Sequence, residues 1–446
     1  MIPPDGGFKD SIPPLLLKAS PPDSSSNFSE KKITLTFDEY IQLQNPIQEL
    51  IMSPVPKEEP EIESKLRTLT IRLKDTLEAN TTYTLNFGNA VRDINEGNIA
   101  RNFTYIFSTG RNFDSLTLSG KVRLAVNGKV DTTLIVMLHK NGDDSAVVNE
   151  KPRYLTRLDS SGNFKFRNLP SGTFYIYALQ DQGNSHRYQT EKQLFAFADS
   201  SVTLQNNNAP ILLYAYAEQS STAPVSSHPQ ITTRPKPGGN DSEKRLKFQT
   251  NIKEGKLDLL DSLSLNFEQP VKTLDTSLIH FSSDSSFVPI DNYHILTDTS
   301  QKKLTLLYNW KENTRYNLII EKDFVQDTLG RTLLKTDTLK FTTKKITDYG
   351  TIRIRFKNFD PSVNPVLLFV QNDNVVKSFP LAGAELSQSI FPPGDYELRV
   401  LYDRNKNGKW DPGQFFSKHL QPELVKPLSR KVTIKSNWDN EFDIAL

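Results

Sequence analysis

The sequence predicts an all-β protein built as four tandem β-sandwich modules, and three observations predict it. Apolar side chains alternate with period two at Ile33/Leu35/Phe37, Leu69/Ile71/Leu73, Tyr83/Leu85/Phe87, Phe103/Tyr105/Phe107, Ile352/Ile354/Phe356 and Tyr396/Leu398/Val400, the pattern of half-buried strands. The chain also repeats itself. ITLTFDEYIQL from Ile33 returns as LSLNFEQPVKT from Leu263, NTTYTLNFGNAVRD from Asn80 returns as NTRYNLIIEKDFVQD from Asn313, and LPSGTFYIYALQDQGN from Leu169 returns as FPPGDYELRVLYDRNKN from Phe391. Finally, helical periodicity of useful length is absent, and 27 prolines give long helices little support.

The order of the repeated blocks reads A-B-A′-B′, so each copy is expected to bury its own core. A length of 446 residues agrees with three or four domains, since modules of about 100 residues hold a modest core. The boundaries expected from composition are a leader at 1–10, a first A module at 11–110, a first B module at 114–217, a linker at 218–243, and second A and B modules at 244–344 and 348–446. The strand runs recur roughly every 8 to 15 residues, which suits antiparallel sandwiches and not a βαβ sheet. Between Glu218 and Lys244 the sequence is rich in Ser, Thr, Pro and Gly, and such a stretch is expected to act as a tether that lets the two halves reorient.

Composition excludes several classes. With 54 basic and 52 acidic residues the net charge is +2, so no global field recruits nucleic acid or an anionic membrane. Zero cysteines exclude a disulfide framework, a thiolate metal site and a cysteine nucleophile. No run of about 18 apolar residues is present to cross a bilayer as a helix. The start, Met1-Ile2-Pro3-Pro4-Asp5, lacks the basic-then-apolar pattern of a signal peptide.

Residues Lys32 to Thr109, with ITLTFDEYIQL, NTTYTLNFGNAVRDINEGN and the closing FTYIFSTG, resemble the bacterial Ig-like domain known from S-layer proteins, and residues 244–344 resemble a degenerate second copy. The opening PPDGGFKDSIPPLLLKASPPDSSSNF resembles the leader that follows a lipidated cysteine in exported lipoproteins. The resemblance implies a signal peptide and membrane attachment through a lipid on a cysteine missing from this chain. The block LDSSGNFKFRNLPSGTFYIYAL from Leu158 resembles the transthyretin-like, or carboxypeptidase-regulatory-like, sandwich. Its Asp-x-x-Gly and Leu-Pro-x-Gly turns suit Gly162 and Gly172 at the chain reversals. The last module keeps only the second half of that block, FPPGDYELRVLYD from Phe391.

No catalytic pattern emerges. The six histidines, His139, His186, His228, His280, His294 and His419, lie far apart with no metal-ligand spacing, and GxSxG, GxxxxGK and GxGxxG motifs are absent. One constellation stands out, Asp403-Arg404-Asn405-Lys406-Asn407-Gly408-Lys409-Trp410-Asp411. Asp403, Asn405, Asn407 and Asp411 fall at positions 1, 3, 5 and 9 of a calcium loop, and Lys409 at position 7 offers its backbone carbonyl. Position 12 is Gln414, so the bidentate Glu of such loops is missing from its place. Two readings stand: a calcium site of Asp403, Asn405, Asn407, Lys409 and Asp411, or a turn whose Asx side chains bond their own backbone.

Trp410 in that loop, like Trp310 and Trp438, is read either as an exposed contact residue or as edge packing. Triplets such as Asp75-Thr76-Leu77 and Asp114-Ser115-Leu116 resemble O-glycosylation sites of exported bacterial proteins, with an ordinary turn as the other reading. The expected function is that of a non-enzymatic, exported, lipid-anchored scaffold or accessory subunit at the bacterial outer membrane or cell surface. Its expected partners are other envelope or outer-membrane proteins, with no nucleic acid; the alternative is a glycan-binding or adhesion module. No cofactor is expected apart from the calcium of the 403–411 loop.

Overall fold

The computed structural model describes residues 10–181, 183–205, 208–218, 245–284 and 286–446. The leader up to residue 9 and the linker from 219 to 244 lie outside the described residues. Among the described residues α-helix is confined to two single turns, Pro46–Glu49 and Ala146–Asn149, and the remaining regular structure is strand with three short 3-10 turns. The sandwich fold class read from period-two alternation is therefore the observed one. Strand Lys32–Phe37 shows why, since it buries Ile33, Leu35 and Phe37 and turns the intervening residues outward.

Four hydrophobic cores each draw on a contiguous stretch of chain. The first joins Ile33, Leu35, Phe37, Leu69, Ile71, Tyr83, Leu85, Tyr105 and Phe107. It lies between a sheet ordered Leu16–Ser20, Lys32–Phe37, Thr68–Arg72, Glu61–Lys65 and a sheet ordered Ile51–Ser53, Thr82–Asn86, Thr104–Ser108. The third core, around Leu265, Phe281, Leu306, Tyr316, Leu318 and Phe341, repeats this arrangement. Its first sheet runs Phe248–Thr250, Leu263–Phe267, Lys303–Leu307, His294–Thr297; its second centres on Asp337–Thr343, Arg315–Ile320, Ile279–Ser283.

The repeated words in the sequence have specific bonds behind them. Asn80 and Asn313 both take positive φ, 50° and 48°, a left-handed turn that Asn tolerates. The closing threonines then tie each turn to the last strand. Thr109 Oγ1 donates to the Glu78 carbonyl at 2.6 Å and accepts from Thr81 N–H at 3.0 Å. Thr343 Oγ1 donates to the Lys311 carbonyl at 2.5 Å and accepts from Thr314 N–H at 3.0 Å. Asp93 and Asp327, both fully buried, are likewise equivalent. Asp93 accepts from the N–H groups of Glu96, Gly97 and Asn98, and Asp327 from Leu329 N–H, Arg331 N–H and the Arg331 guanidinium. Burial works against each charge, but these donors outweigh it and hold both carboxyls below the usual range.

The second and fourth cores share another topology. In the second, Leu116–Leu124 lies between antiparallel Asn163–Leu169 and parallel Ile211–Ala215, opposite a sheet ordered Tyr154–Arg157, Leu134–His139, Gly172–Gln180, Phe195–Phe197. In the fourth, Gly350–Lys357 lies between antiparallel Glu385–Phe391 and parallel Asp439–Ala445, opposite Asn374–Pro380, Pro365–Gln371, Gly394–Tyr402, Leu424–Ile434.

One expectation changes. The two halves were expected to reorient about the linker, yet an apolar cluster joins Met137, Tyr177, Tyr188, Phe195, Phe197 and Tyr216 to Phe415, with Trp410, Phe416 and Leu424 packed against it. The halves meet through the long connection between strands Gly394–Tyr402 and Leu424–Ile434, whose Phe415 packs among Tyr177, Phe195 and Phe197 of the second module. Composition of the linker reports only on the linker, and so could not reveal this docking.

Candidate functional site

The connection at residues 403–423 is the densest concentration of oxygen-bearing side chains among the described residues that sequence spacing had singled out. It begins where strand Gly394–Tyr402 ends. Asp403 is only 2% exposed; its Oδ1 accepts from Asn407 N–H at 3.3 Å and its Oδ2 from Gly408 N–H at 2.7 Å. Gly408 takes φ 74°, a left-handed position that a side chain would strain. Asn405 Oδ1 accepts from Asn407 N–H at 3.0 Å, and Asn407 Oδ1 from Lys409 N–H at 2.7 Å. The two amide nitrogens, Asn405 Nδ2 and Asn407 Nδ2, both donate to Asp411 Oδ2, at 2.6 and 2.7 Å.

The structure thus brings Asp403, Asn405, Asn407 and Asp411 together. Lys409 enters through its backbone, with its N–H held by Asn407. Gln414 does not join them: its backbone forms a bridge with Leu420 at 2.8 Å in both directions. A carboxylate that spacing could not reveal joins instead. Glu423, 2% exposed, accepts from Arg404 N–H at 2.8 Å and Asp411 N–H at 3.1 Å. It precedes strand Leu424–Ile434 and reaches the loop from the far end of the connection, outside any local periodicity. Oxygen ligands of this kind suit Ca²⁺ and not a thiophilic or imidazole-preferring metal, but both amides turn their nitrogens to Asp411, and among the described residues the carboxylates of Asp403, Asp411 and Glu423 do not meet at one point as those of Glu39, Asp93 and Glu96 do. The bonds inside the loop equally satisfy the turn reading.

Trp410 is not a free platform. Its Nε1 donates to the Glu423 carbonyl at 2.7 Å, and its ring packs beside Val366, Leu368, Leu401 and Val425. Beyond it, the same connection docks on the second module. Phe415 sits edge-on to Tyr177 at 5.8 Å and to Phe195 at 5.1 Å, with His419 stacked on it at 5.1 Å. Polar contacts frame this seam. His419 Nε2 lies 2.8 and 2.9 Å from the Asp144 oxygens, Gln421 Nε2 donates to Phe197 O and Asp199 Oδ1, and Phe415 N–H donates to Glu218 Oε1 at 3.0 Å. Tyr188 and Tyr216 hydroxyls are buried there without partners, and burial, reinforced by the Glu218 charge, pushes both phenols up.

A second acidic group was invisible in the sequence. Glu39, Asp93 and Glu96 bring carboxylate oxygens within 4.8 Å of one another, because strand Ile41–Leu43 pairs with Val91–Asp93. Burial and the Asp93 charge hold the Glu39 carboxyl above its usual range. Asp93 is committed to three backbone N–H groups, so the cluster reads first as the organiser of a turn.

No curated protein matches the chain. Among solved structures, the major pilin subunit BcpA of Bacillus cereus is 10% identical, over 74% of this chain and 99% of its own, at TM-score 0.18. The Bacillus anthracis TIE protein is 12% identical over 99% of this chain and 75% of its own, at TM-score 0.18. The N-terminal part of the bacterial S-layer protein SbsC is 16% identical over 46% of this chain and 44% of its own, at TM-score 0.17. Superposition this loose carries no functional conclusion. The sequence match is more specific: two segments of the chain, residues 10–109 and 240–343, match the bacterial Ig-like domain.

Proposed function

We propose that this chain is a non-catalytic interaction scaffold of the bacterial cell envelope, holding four sandwiches in a fixed array with a calcium loop at the central junction. Export, and a lipid anchor on a cysteine upstream of the stretch described, belong to the same proposal, as do partners among envelope or outer-membrane proteins. The observation that carries it is the burial of Phe415 in the aromatic cluster of the second module. An interaction scaffold needs rigid spacing between its surfaces, and a fully desolvated aromatic anchor provides it. The buried carboxylates of the two Ig-like modules support the non-catalytic reading, since Asp93 and Asp327 are each committed to backbone donors.

A specific protease site placed within residues 219–244 tests this. After cleavage the two halves are expected to co-elute as one particle, and Phe415→Ala, removing about 3 kcal/mol of packing, to separate them. Halves that part on cleavage in the unsubstituted protein would contradict the fixed array. Trp438 favours the glycan-binding alternative at a different place: it is 62% exposed, with the Lys435 ammonium 4.9 Å from its ring centre. Quenching of indole fluorescence by oligosaccharides, lost in Trp438→Ala, would support that alternative.

A further inference from the structure

The first and third modules are copies of one fold, so each serves as a control for the other. In the first, Phe37 N–H donates to the Arg67 carbonyl at 2.8 Å, Ile41 N–H to the Leu66 carbonyl at 2.9 Å and Ile94 N–H to the Tyr40 carbonyl at 3.0 Å. In the third, Phe267 N–H donates to the Lys302 carbonyl at 2.8 Å, Val271 N–H to the Gln301 carbonyl at 2.7 Å and Thr328 N–H to the Pro270 carbonyl at 3.0 Å. Leu66 and Gln301 share a left-handed turn, with φ 55° and 56°. The backbone of this end is the same in both modules, but the side chains differ. Where the third module has Pro270, Gln301 and Thr328, the first has Tyr40, Leu66 and Ile94, which are 46%, 63% and 51% exposed. The third module's exposed Leu329 takes the place of Asn95. Because the fold forms without them, three large apolar side chains grouped in water serve a contact and not the core.

The position of this end says what it meets. The opposite end of the first module is docked on the second, through the ion pair of Glu78 with Arg153 and the bond from Asp114 N–H to Thr82 Oγ1 at 2.7 Å. The chain enters at the other end, where Asn98 Nδ2 donates to the Asp10 and Ile12 carbonyls at 3.1 and 3.2 Å and Asp38 N–H to the Leu15 carbonyl at 3.1 Å. Ile12 and Leu15, 59% and 55% exposed, widen the apolar surface there. A lipid anchor upstream of Asp10 therefore holds this end, and not the docked one, toward a bilayer. The third module has no such anchor beside it and lacks the apolar tip. Lys65 and Arg67 flank Leu66, with the Arg67 guanidinium 5.4 Å from the Tyr40 ring centre, while Asp10, Asp38, Glu39 and Glu96 lie on the same end. Carboxylates outnumber cations, so this end complements headgroups that carry an ammonium beside their phosphate, and an anionic surface would repel it.

We propose that this tip of the first module lies against a zwitterionic lipid bilayer, with Tyr40, Leu66 and Ile94 entering the headgroup layer. Aromatic and branched apolar side chains bordered by charge are the residues that an interface of this kind takes up. The proposal rests on the reading of the chain as lipid-anchored and adds an orientation to it: the array stands end-on to the membrane, first module down.

With no cysteine in the chain, a single introduced one can carry a label. Leu66→Cys and its equivalent Gln301→Cys are each coupled to nitrobenzoxadiazole, whose emission reports the polarity around it. The full chain is held by an N-terminal polyhistidine tag on phosphatidylcholine vesicles that contain a nickel-chelating lipid. At position 66 the label is expected to shift to the blue and brighten on the vesicles, and spin-labelled lipid should quench it; at position 301 it should do neither. Tyr40→Glu combined with Ile94→Glu should abolish the response at 66, and replacing part of the phosphatidylcholine by phosphatidylglycerol should weaken it. The comparison of the two labels decides even if the double variant folds poorly. No response at 66, equal responses at 66 and 301, or a stronger response on phosphatidylglycerol would each overturn the proposal. The tag supplies the attachment, so the result is independent of the native anchor, which is read separately by mass spectrometry of the protein recovered from the cells that make it; either reading can fail alone.

Discussion

The ring of Tyr216, at the end of the second module, lies against the backbone of Gly413 in the fourth, so closely that a Cβ at Gly413 would stand 2.6 Å from Tyr216 Cζ and 2.6 Å from the Leu420 carbonyl oxygen. Neither neighbour can give way, because Tyr216 is 2% exposed and Leu420 is bridged to Gln414. Gly413 does not take positive φ, so its absence of a side chain serves close approach alone.

Gly413→Val is therefore expected to pry the two halves apart while leaving each sandwich folded. Overpacking of this kind costs about 1–3 kcal/mol. Small-angle scattering should show a larger radius of gyration for the variant, with unchanged far-ultraviolet circular dichroism. An unchanged radius would mean that the seam relaxes around the new side chain.

Calcium is expected to stabilise the fourth module through the 403–411 loop. Without the usual twelfth-position Glu, affinity should fall at about 10⁻⁴ to 10⁻³ M, the range of extracellular modules. A tenfold excess of calcium over that dissociation constant then adds about 1.4 kcal/mol. Differential scanning calorimetry in calcium and in chelator should show the rise, and Asp403→Ala combined with Asp411→Ala should remove it. Glu423→Gln should weaken the rise if this carboxylate substitutes for the missing one. Identical melting in calcium and chelator would leave the loop as a turn.

Asp93→Ala and Asp327→Ala should each destabilise their own module by about 2–4 kcal/mol, since backbone N–H groups lose a buried acceptor. Because the folded carboxyls lie below their usual range, the stability they provide is present above the unfolded carboxylate range near pH 4 and is lost as pH falls through the folded values. Urea unfolding of the two variants should show a shallower acid dependence than the unsubstituted protein. Parallel curves would assign the role of these residues to packing and not to charge.

His139 acts in the opposite sense. It is 2% exposed, its Nε2 has no hydrogen-bond partner, and burial lowers it from 6.5 to about 4. Above pH 6.5 it is neutral folded or unfolded and contributes no pH dependence. As pH falls from there toward 4 the unfolded chain takes up the proton first, and up to about 3 kcal/mol of stability is lost. His139→Leu should flatten that part of the stability curve; an unchanged slope between pH 6.5 and 4 would refute the assignment.

What the sequence by itself determined lies within short reach along the chain. Period-two alternation marked strand Lys32–Phe37 and its equivalents, because neighbouring side chains on a strand point to opposite faces whatever packs on them. The words repeated from Asn80 and Asn313 marked equivalent modules, because the same run of residue types builds the same local structure. Spacing placed Asp403, Asn405, Asn407 and Asp411 on one loop, since side chains two residues apart can bond the backbone between them. Only the tertiary structure decided the rest. Glu423 joined the loop from twenty residues beyond Asp403, and Glu39 met Asp93 through strand pairing. Phe415 was buried by a module other than its own. Contacts of this kind depend on which faces the folded modules present to one another, and no local pattern in a single chain encodes that.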